Sequence, residues 1–299
     1  MSEPISLVIV SVDESPSAQA AARHASLLAR LLETPLQLVH VMALNPAELS
    51  DIPANRQAES DHDRAKRKER AANVFAQARQ ALDPDLAQAP TEVLLEDASF
   101  IRHPDRAILE HAARHAGCLL VLGARQLSDV GKFVQGSISN EVVHRARCPV
   151  TIVHDRADVS EAARLGQVLV PVDGSSHSLK ATTLAGELAR GADVPVELVF
   201  CRPDSCSSGA DSPEEEGPAE EAFQRAREAL GEIPRGIEEV VSQGTRIPEA
   251  IVERAEHYAA AAPMIVMGRR GLGKWQSSLL GSVSHRVIDL APCPVTVVA

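Results

Sequence analysis

Hydrophobic residues along the chain alternate between short unbroken runs and longer stretches in which they recur every three or four positions. The first run is ISLVIVSV, residues 5–12, and an Ala- and Leu-rich periodic stretch follows it to about residue 32. An unbroken β-branched run is typical of a strand buried on both faces, whereas the longer spacing indicates an amphipathic helix. Ser15 and Pro16 mark the start of that helix, as an N-cap and a first-turn proline.

The strand and helix pattern is written twice along the chain. Residues 7–31 align with residues 168–191, so that Asp13 matches Asp173 at an offset of 160 positions. Residues 136–153 match residues 281–298 at an offset of 145. This repeat is too long for a solenoid unit. It predicts a duplicated domain, with copy one at residues 1–155 and copy two at residues 166–299.

Each copy carries five strand signals separated by helix signals. Such alternation predicts an α/β fold of two tandem Rossmann-like, doubly wound domains, each a five-stranded parallel sheet with helices on both faces. Each copy also closes with a short apolar strand, CPVTIV or CPVTVV. Because a bare apolar edge invites pairing and the linker is short, we expect Val150–Val153 to pair with Val295–Val298. The copies would then form a pseudo-two-fold dimer within one chain, and a further homodimer stays open.

The charge and composition narrow the choice of partners. The formal net charge of −11 and an aromatic content of 2% argue against nucleic acid, which needs positive charge or stacking platforms. The N-terminus lacks the basic and long apolar segments of a signal peptide, and no apolar stretch reaches the ~20 residues that span a bilayer. We therefore expect a cytoplasmic protein with no nucleic-acid or membrane partner.

The cysteines and histidines do not predict a metal centre. The five cysteines form no C-x-x-C pair, and we expect buried free thiols: Cys118, Cys148, Cys201, Cys206 and Cys293. His111 and His115 have a spacing that can bind a metal, but no third ligand is near in sequence. We expect them to be a surface pair.

The segment GRRGLGKWQSSLLGS, residues 268–282, has its glycines spaced G-x2-G-x9-G, with a serine directly after the last. It follows an apolar run, so Gly268 is expected to end a strand, and a helix is expected to begin at the closing Gly-Ser. Glycine lets a backbone approach a ligand, and the N-terminus of a helix favours phosphate. Arg269, Arg270 and Lys274 add positive charge. The segment predicts a nucleotide phosphate site, although it contains neither a P-loop nor G-x-G-x-x-G.

The chain resembles a tandem universal stress protein, with two family domains in one polypeptide, over nearly its whole length. In copy two the resemblance is carried by PVDGSSHSLKA and VMGRRGLGKWQSSLLGSVSHRVIDLAPCPVTVV. In copy one it is carried by VSVDESPSAQAA and VLGARQLSDVGKFVQGSISNEVVHRARCPVTIV. G-x2-G-x9-G-[ST] is the ATP-binding signature of that family. The resemblance implies an ATP-binding stress-response regulator or sensor, with Mg2+ carried by the nucleotide.

The resemblance also implies a site in copy two. Adenine and ribose would lie against Pro171, Val172, Asp173 and Cys201. The ribose and phosphates would pass Met267, Gly268 and Gly271, with Arg269 beside them. The phosphates would end at Gly281, Ser282, Val283 and Ser284. No residue cluster supplies a dedicated metal cage.

Copy one departs from the signature. The positions that match it are Asp13, Val41, Gly123, Gly136, Ser137 and Ser139. Gln126 stands where copy two has Gly271, and Asp129 stands where it has Lys274. Gln126 would fill the path of the nucleotide and Asp129 would oppose its charge. We expect weak or absent binding in copy one.

The sequence shows no recognisable set of catalytic residues. ATP hydrolysis needs a positioned water and usually a base, and Asp173 is the one carboxylate that the motif places near the site. Three functions stay open: a nucleotide-binding regulator with little or no hydrolysis, an ATP-hydrolysing enzyme of unknown substrate, and a protein-interaction scaffold with vestigial loops. The intact glycines of copy two favour the first two, and the missing catalytic set favours the first.

Overall fold

The computed structural model describes residues 4–42, 61–96, 103–124, 138–154, 164–202, 217–243, 246–271 and 280–299. Within these ranges the chain forms ten strands and eight α-helices, and strands and helices alternate as the hydrophobic pattern predicts. The helices cover a single sheet, so that the fold is α/β throughout the described residues.

The elements of the two copies follow the same order. Copy one contains β1 Leu7–Ser11, α1 Pro16–Leu31, β2 Leu36–Val41, α2 Asp61–Gln80, β3 Thr91–Leu95, α3 Pro104–Ala112, β4 Cys118–Ala124, α4 Ile138–Arg145 and β5 Val150–His154. Copy two contains β6 Gln167–Pro171, α5 Ser176–Ala192, β7 Val196–Arg202, α6 Gly217–Leu230, β8 Ile237–Gln243, α7 Ile247–His257, β9 Pro263–Gly268, α8 Ser282–Leu290 and β10 Val295–Val298. A short 3-10 helix, Ala259–Ala261, follows α7.

The strands form one sheet in the order β3-β2-β1-β4-β5-β10-β9-β6-β7-β8. Neighbours within a copy are parallel, whereas β5 and β10 are antiparallel. In each copy the strand order reverses beside the first strand, which is the arrangement of a doubly wound sheet. The prediction of two five-stranded Rossmann-like units, packed as a pseudo-two-fold dimer, is confirmed.

The two copies meet at the centre of the sheet. The expected pairing of Val150–Val153 with Val295–Val298 is present, and Thr151 lies directly opposite Thr296. The Oγ1 atoms of these threonines are 2.7 Å apart, and both residues are fully buried. The two threonines occupy equivalent positions of the repeat. The pseudo-two-fold axis therefore passes between them.

The first helix of each copy begins at a serine that caps it. Ser15 Oγ accepts a hydrogen bond from the Ala18 N–H, and Ser175 Oγ accepts one from the Ser178 N–H, each at 3.2 Å. Pro16 opens α1, as the sequence predicts. Since α1 and α5 start directly after β1 and β6, the caps set the turn at the carboxyl end of the central strand of each copy.

One prediction about histidines is wrong. His111 is buried, and its Nε2 forms a hydrogen bond with Oε1 of Gln37 on β2. Burial lowers the pKa of His111, and its ring lies edge-on to that of His115, 5.0 Å away. Helix α3 packs this face onto the sheet, which the four-residue spacing alone does not reveal.

No helix in the described part of the chain combines the length and the apolar character required to cross a lipid bilayer. Among the same residues, no three His, Cys, Asp or Glu side chains gather in a way that could hold a metal ion. The four described cysteines are free: Cys118 and Cys293 are buried, and Cys148 and Cys201 are half-buried. Cys206 lies outside the described residues.

Candidate functional site

A cavity of about 620 Å³ lies at the carboxyl ends of β6, β7 and β9 in copy two. These strands meet where the strand order reverses, which is where open α/β sheets bind their ligands. Its volume is that of a small-molecule site, roughly 300–1,000 Å³. The fold therefore places a ligand-sized space at the edge where the signature residues collect.

All twelve residues that the resemblance implies for copy two line this cavity. The strand ends contribute Pro171, Val172, Asp173, Cys201, Met267 and Gly268. The glycine segment and the start of α8 contribute Arg269, Gly271, Gly281, Ser282, Val283 and Ser284. The structure brings these residues to one place, and their part in binding stays a prediction.

The cavity also has an apolar wall that the sequence analysis missed. Ile247 and Ile251 lie one turn apart on α7, and Val199 precedes Cys201 by two positions on β7. The two-residue spacing places Val199 on the same face of the strand as Cys201. The spacing of the isoleucines indicates an apolar helix face, but not that this face borders a cavity. Other lining residues are Ser178, Leu280 and Arg270, the last named from sequence only for its charge.

Asp173 is held between two backbone segments. Its Oδ1 accepts a hydrogen bond from the Ser175 N–H at 3.0 Å. A Cβ atom added to Gly271 would stand 2.3 Å from Oδ2 of Asp173, so a side chain at Gly271 would displace the carboxylate or the loop. Gly174, between Asp173 and the cap, has φ +75°, which favours glycine. The carboxylate is thus positioned on the cavity wall.

The glycine that ends the fourth strand lines the cavity, as predicted, and also has a packing role that the sequence did not indicate. A Cβ added to Gly268 would lie 2.7 Å from the backbone carbon of His177, at the start of α5. In copy one, a Cβ at Gly123 would lie 2.3 Å from the carbonyl oxygen of Ser17. Both glycines let the first helix of their copy pack directly against the fourth strand. A side chain at either glycine would separate helix from strand, and the approach of Gly268 to a ligand stays a prediction.

Helix α8 presents its N-terminus to the cavity. Gly281 is its N-cap and offers no side chain to the first turn. The N–H groups of that turn, residues 282–284, have no acceptor within the helix. The Gly281 N–H and the Ser284 hydroxyl both donate to the carbonyl of Arg269, at 3.0 and 2.8 Å. These bonds tie the helix start to the end of β9 and aim the positive end of its dipole at the cavity.

The guanidinium of Arg269 bonds to copy one, whereas the sequence analysis placed it beside the ribose and phosphates. Arg269 is 7% exposed, and its Nη2 donates to the carbonyl of Ala146, at the end of α4 in copy one. Burial and the nearby Arg270 lower its pKa. Arg269 is among the residues that line the cavity, but its guanidinium bonds to copy one.

Copy one keeps part of the same framework. Asp13 Oδ1 accepts from the Ser15 N–H at 2.8 Å, and the Ser139 hydroxyl donates to the carbonyl of Gly123 at 2.9 Å. Val41 is the last residue of β2, level with the end of β3. Some of the predicted residues lie outside the described part of the chain: Gln126, Asp129, Gly136 and Ser137 in copy one and Lys274 in copy two.

The turn after β1 differs in charge from its counterpart in copy two. Glu14 stands where copy two has Gly174. Arg70 of α2 donates to both oxygens of Glu14, at 2.6 and 2.5 Å, and this pairing lowers the pKa of Glu14. An ion pair therefore occupies the edge of copy one where copy two has bare backbone.

The sequence model of the Universal stress protein family matches this chain twice, at residues 5–154 and 165–299. Universal stress protein Rv2623 of Mycobacterium tuberculosis (strain ATCC 25618 / H37Rv) is 31% identical over 301 residues, 97% of this chain and 95% of that protein. A universal stress protein of Mycolicibacterium smegmatis is 30% identical over 303 residues, with 97% and 96% covered.

The solved structures agree on the architecture. The structure of a universal stress protein from Archaeoglobus fulgidus DSM 4304 superimposes with a TM-score of 0.66 at 21% identity, over 98% of this chain and 97% of that chain. At that identity the likeness shows the fold alone. The family model matches both copies, and the relatives align over nearly the whole chain. This chain therefore belongs to the universal stress protein family.

Proposed function

We propose that the chain binds ATP in the copy-two cavity and acts as a stress-response regulator or sensor, with little or no hydrolysis. Residues 1–155 and 166–299 would be its two domains, and Mg2+ would arrive with the nucleotide. The observation that carries the proposal is the convergence of all twelve signature residues of copy two on one cavity. Membership of the family, by itself, does not name the ligand.

The chemistry of the cavity fits the parts of an adenine nucleotide. Ile247, Ile251 and Val199 give an apolar wall of the kind that a base requires. The positioned carboxylate of Asp173 can accept a hydrogen bond from a ribose hydroxyl. The open N–H groups at the start of α8 suit phosphate oxygens. An apolar wall, a carboxylate and an anion site in one cavity favour a nucleotide over a purely apolar ligand.

The cavity is poorly equipped for hydrolysis. Among the described residues that line it, Asp173 is the one carboxylate, and it is already held against Ser175 and Gly271. A general base needs to reach the attacking water, which the expected place of Asp173 beside the adenosine does not allow. The lack of a placed base favours nucleotide binding over ATP hydrolysis as the function. The cavity itself favours either of these over a protein-interaction scaffold, since a scaffold needs no such cavity.

The test is to identify the ligand and follow its fate. Nucleotide released from the purified full chain is identified by mass spectrometry, and the stripped protein is then titrated with Mg-ATP and, as a base control, Mg-GTP. We expect adenine nucleotide in the released fraction, preference for ATP, and ATP recovered intact after prolonged incubation. Catalytic conversion to ADP would favour the enzyme instead. Absence of released nucleotide together with absence of ATP binding would leave the scaffold.

A further inference from the structure

A second cavity, of about 680 Å³, lies between the two copies at the amino ends of β4 and β5. Copy one contributes Cys118, Cys148 and Pro149, and copy two contributes Lys180 and the last residue, Ala299. The cavity is separate from the candidate nucleotide site, because none of its lining residues lines that site.

Cys118 and Cys148 are neighbours on the wall of this cavity. Strand β4 pairs in parallel with β5 from Leu120 opposite Val150, and the Leu120 N–H donates to the carbonyl of Pro149 at 3.0 Å. Cys118, which begins β4, and Cys148, directly before Pro149, therefore lie at the same end of two neighbouring chain segments. Adjacent strands are roughly 4.8 Å apart, within the roughly 4.4–6.8 Å between Cα atoms that a disulfide spans. Both thiols line the cavity, and Cys118 Sγ donates to the carbonyl of Ala112 at 3.5 Å. They are free but stand where a disulfide can form.

The surroundings make the two thiols unequal. The neighbouring Cys148 thiol lowers the pKa of Cys118, whereas Cys118 and burial raise the pKa of Cys148. The cavity lining carries charges of both signs, with Arg106, Arg147 and Lys180 beside Glu110 and Glu187. The thiolate is the form that attacks an oxidant. Cys118 is buried but lines the cavity, so it is suited to attack a small oxidant that enters there, and the half-buried Cys148 is suited to resolve the product.

We propose that Cys118 and Cys148 form a redox site that a peroxide converts reversibly into a disulfide. The Cys118 thiolate attacks one oxygen of hydrogen peroxide, the O–O bond breaks, and the departing hydroxide takes a proton to become water. The Cys148 sulfur then attacks the resulting sulfenic acid of Cys118. An S–S bond forms, the S–O bond breaks, and the hydroxide leaves as water with the Cys148 proton. Two thiols lose two electrons, and a dithiol reductant restores them.

Copy two provides a matched control within the same chain. Val295 lies opposite Ile265, and the Ile265 N–H donates to the carbonyl of Pro294, so Cys293 and Pro263 stand at the matching end of β10 and β9. Cys293 occupies the position of Cys148 in the repeat, but a proline replaces its partner. Burial raises the pKa of Cys293 to about 12. Cys293 is therefore expected to stay reduced where Cys118 and Cys148 react.

The experiment treats the full chain with hydrogen peroxide, blocks the remaining thiols by alkylation in acid, and digests the protein with trypsin without reduction. We expect the peptide of residues 115–125 joined to the peptide of residues 148–156, at the sum of their masses less two hydrogen atoms. Before digestion, the oxidised protein should keep the mass of one chain, because the bond forms within it. Dithiothreitol should separate the two peptides. Cys148→Ser, at the less buried of the two positions, should abolish the link, and Cys293→Ser should keep it.

Each other outcome overturns the proposal. One is alkylated Cys118 and Cys148 after a treatment that oxidises a free small thiol in the same tube. Another is sulfinic or sulfonic acid at these positions without a link. A third is a peroxide-induced bond that joins either cysteine to Cys201, Cys206 or Cys293, or to a second chain. None of these outcomes depends on whether the nucleotide proposal holds.

Discussion

The Asp173 carboxylate and Gly271 lie so close that a Cβ on the glycine would stand 2.3 Å from Oδ2. The other carboxylate oxygen is held by the Ser175 N–H. The turn after β6 and the glycine segment after β9 are thereby fitted to each other at the cavity wall. The second glycine of the signature, Gly271, is required because it leaves room for the Asp173 carboxylate.

Replacing Gly271 by valine is expected to weaken ATP binding at least about tenfold, or about 1.4 kcal/mol, because the side chain must displace either Asp173 or the loop. Calorimetric titration measures the change. Gly217→Val is the matched control, since a Cβ at Gly217 meets nothing within 4 Å. Equal ATP affinity in the Gly271 variant and the wild type would contradict the site assignment.

The hydrogen bond between Thr151 and Thr296 gives a test of the interface between the copies. Thr151→Val leaves the buried Thr296 hydroxyl without this partner, which is expected to lower the free energy of unfolding by about 1–3 kcal/mol. The double variant Thr151→Val/Thr296→Val removes both hydroxyls and should lose less than the sum of the single changes. Urea unfolding of the wild type, Thr151→Val, Thr296→Val and the double variant measures these losses. Strictly additive losses of the free energy of unfolding would argue against the bond.

Sequence patterning predicted most of the architecture. Ser15 and Pro16 located the start of α1, and the apolar strands that close the copies predicted the central pairing in which Thr151 faces Thr296. These features are local or follow from the repeat. Each can therefore be inferred without knowing what lies across the interface.

What the sequence did not reveal depends on contacts between distant segments. Arg269 donates to Ala146, 123 positions away, so its charge is used between the copies. Gly268 is required by the start of α5, which lies far away in the chain. Cys118 and Cys148 become neighbours only through the register of β4 with β5. A motif names residue types, but the sheet decides what each one touches.

The buried His24 is expected to make the free energy of unfolding fall in acid. It is buried in α1, and burial lowers its pKa from 6.5 to about 4. As pH falls from about 6.5 to about 4, the unfolded chain gains a proton that the folded chain does not accept, and the free energy of unfolding falls by about 3 kcal/mol. His24→Leu should lose this part of the pH dependence, measured by urea unfolding at pH 7 and at pH 4. His257→Leu, at an exposed position, is the control, and an unchanged slope in His24→Leu would count against the assignment.

The central claim is that ATP binds in copy two and that copy one is the weaker partner. It is tested most directly by titrating the full chain and its Gln126→Gly variant with Mg-ATP in a calorimeter. We predict one tight site per chain in the wild type, with the other site much weaker or absent, and a gain of binding at the second site in the variant. Two equal sites in the wild type, or no saturable binding of ATP, would contradict the account.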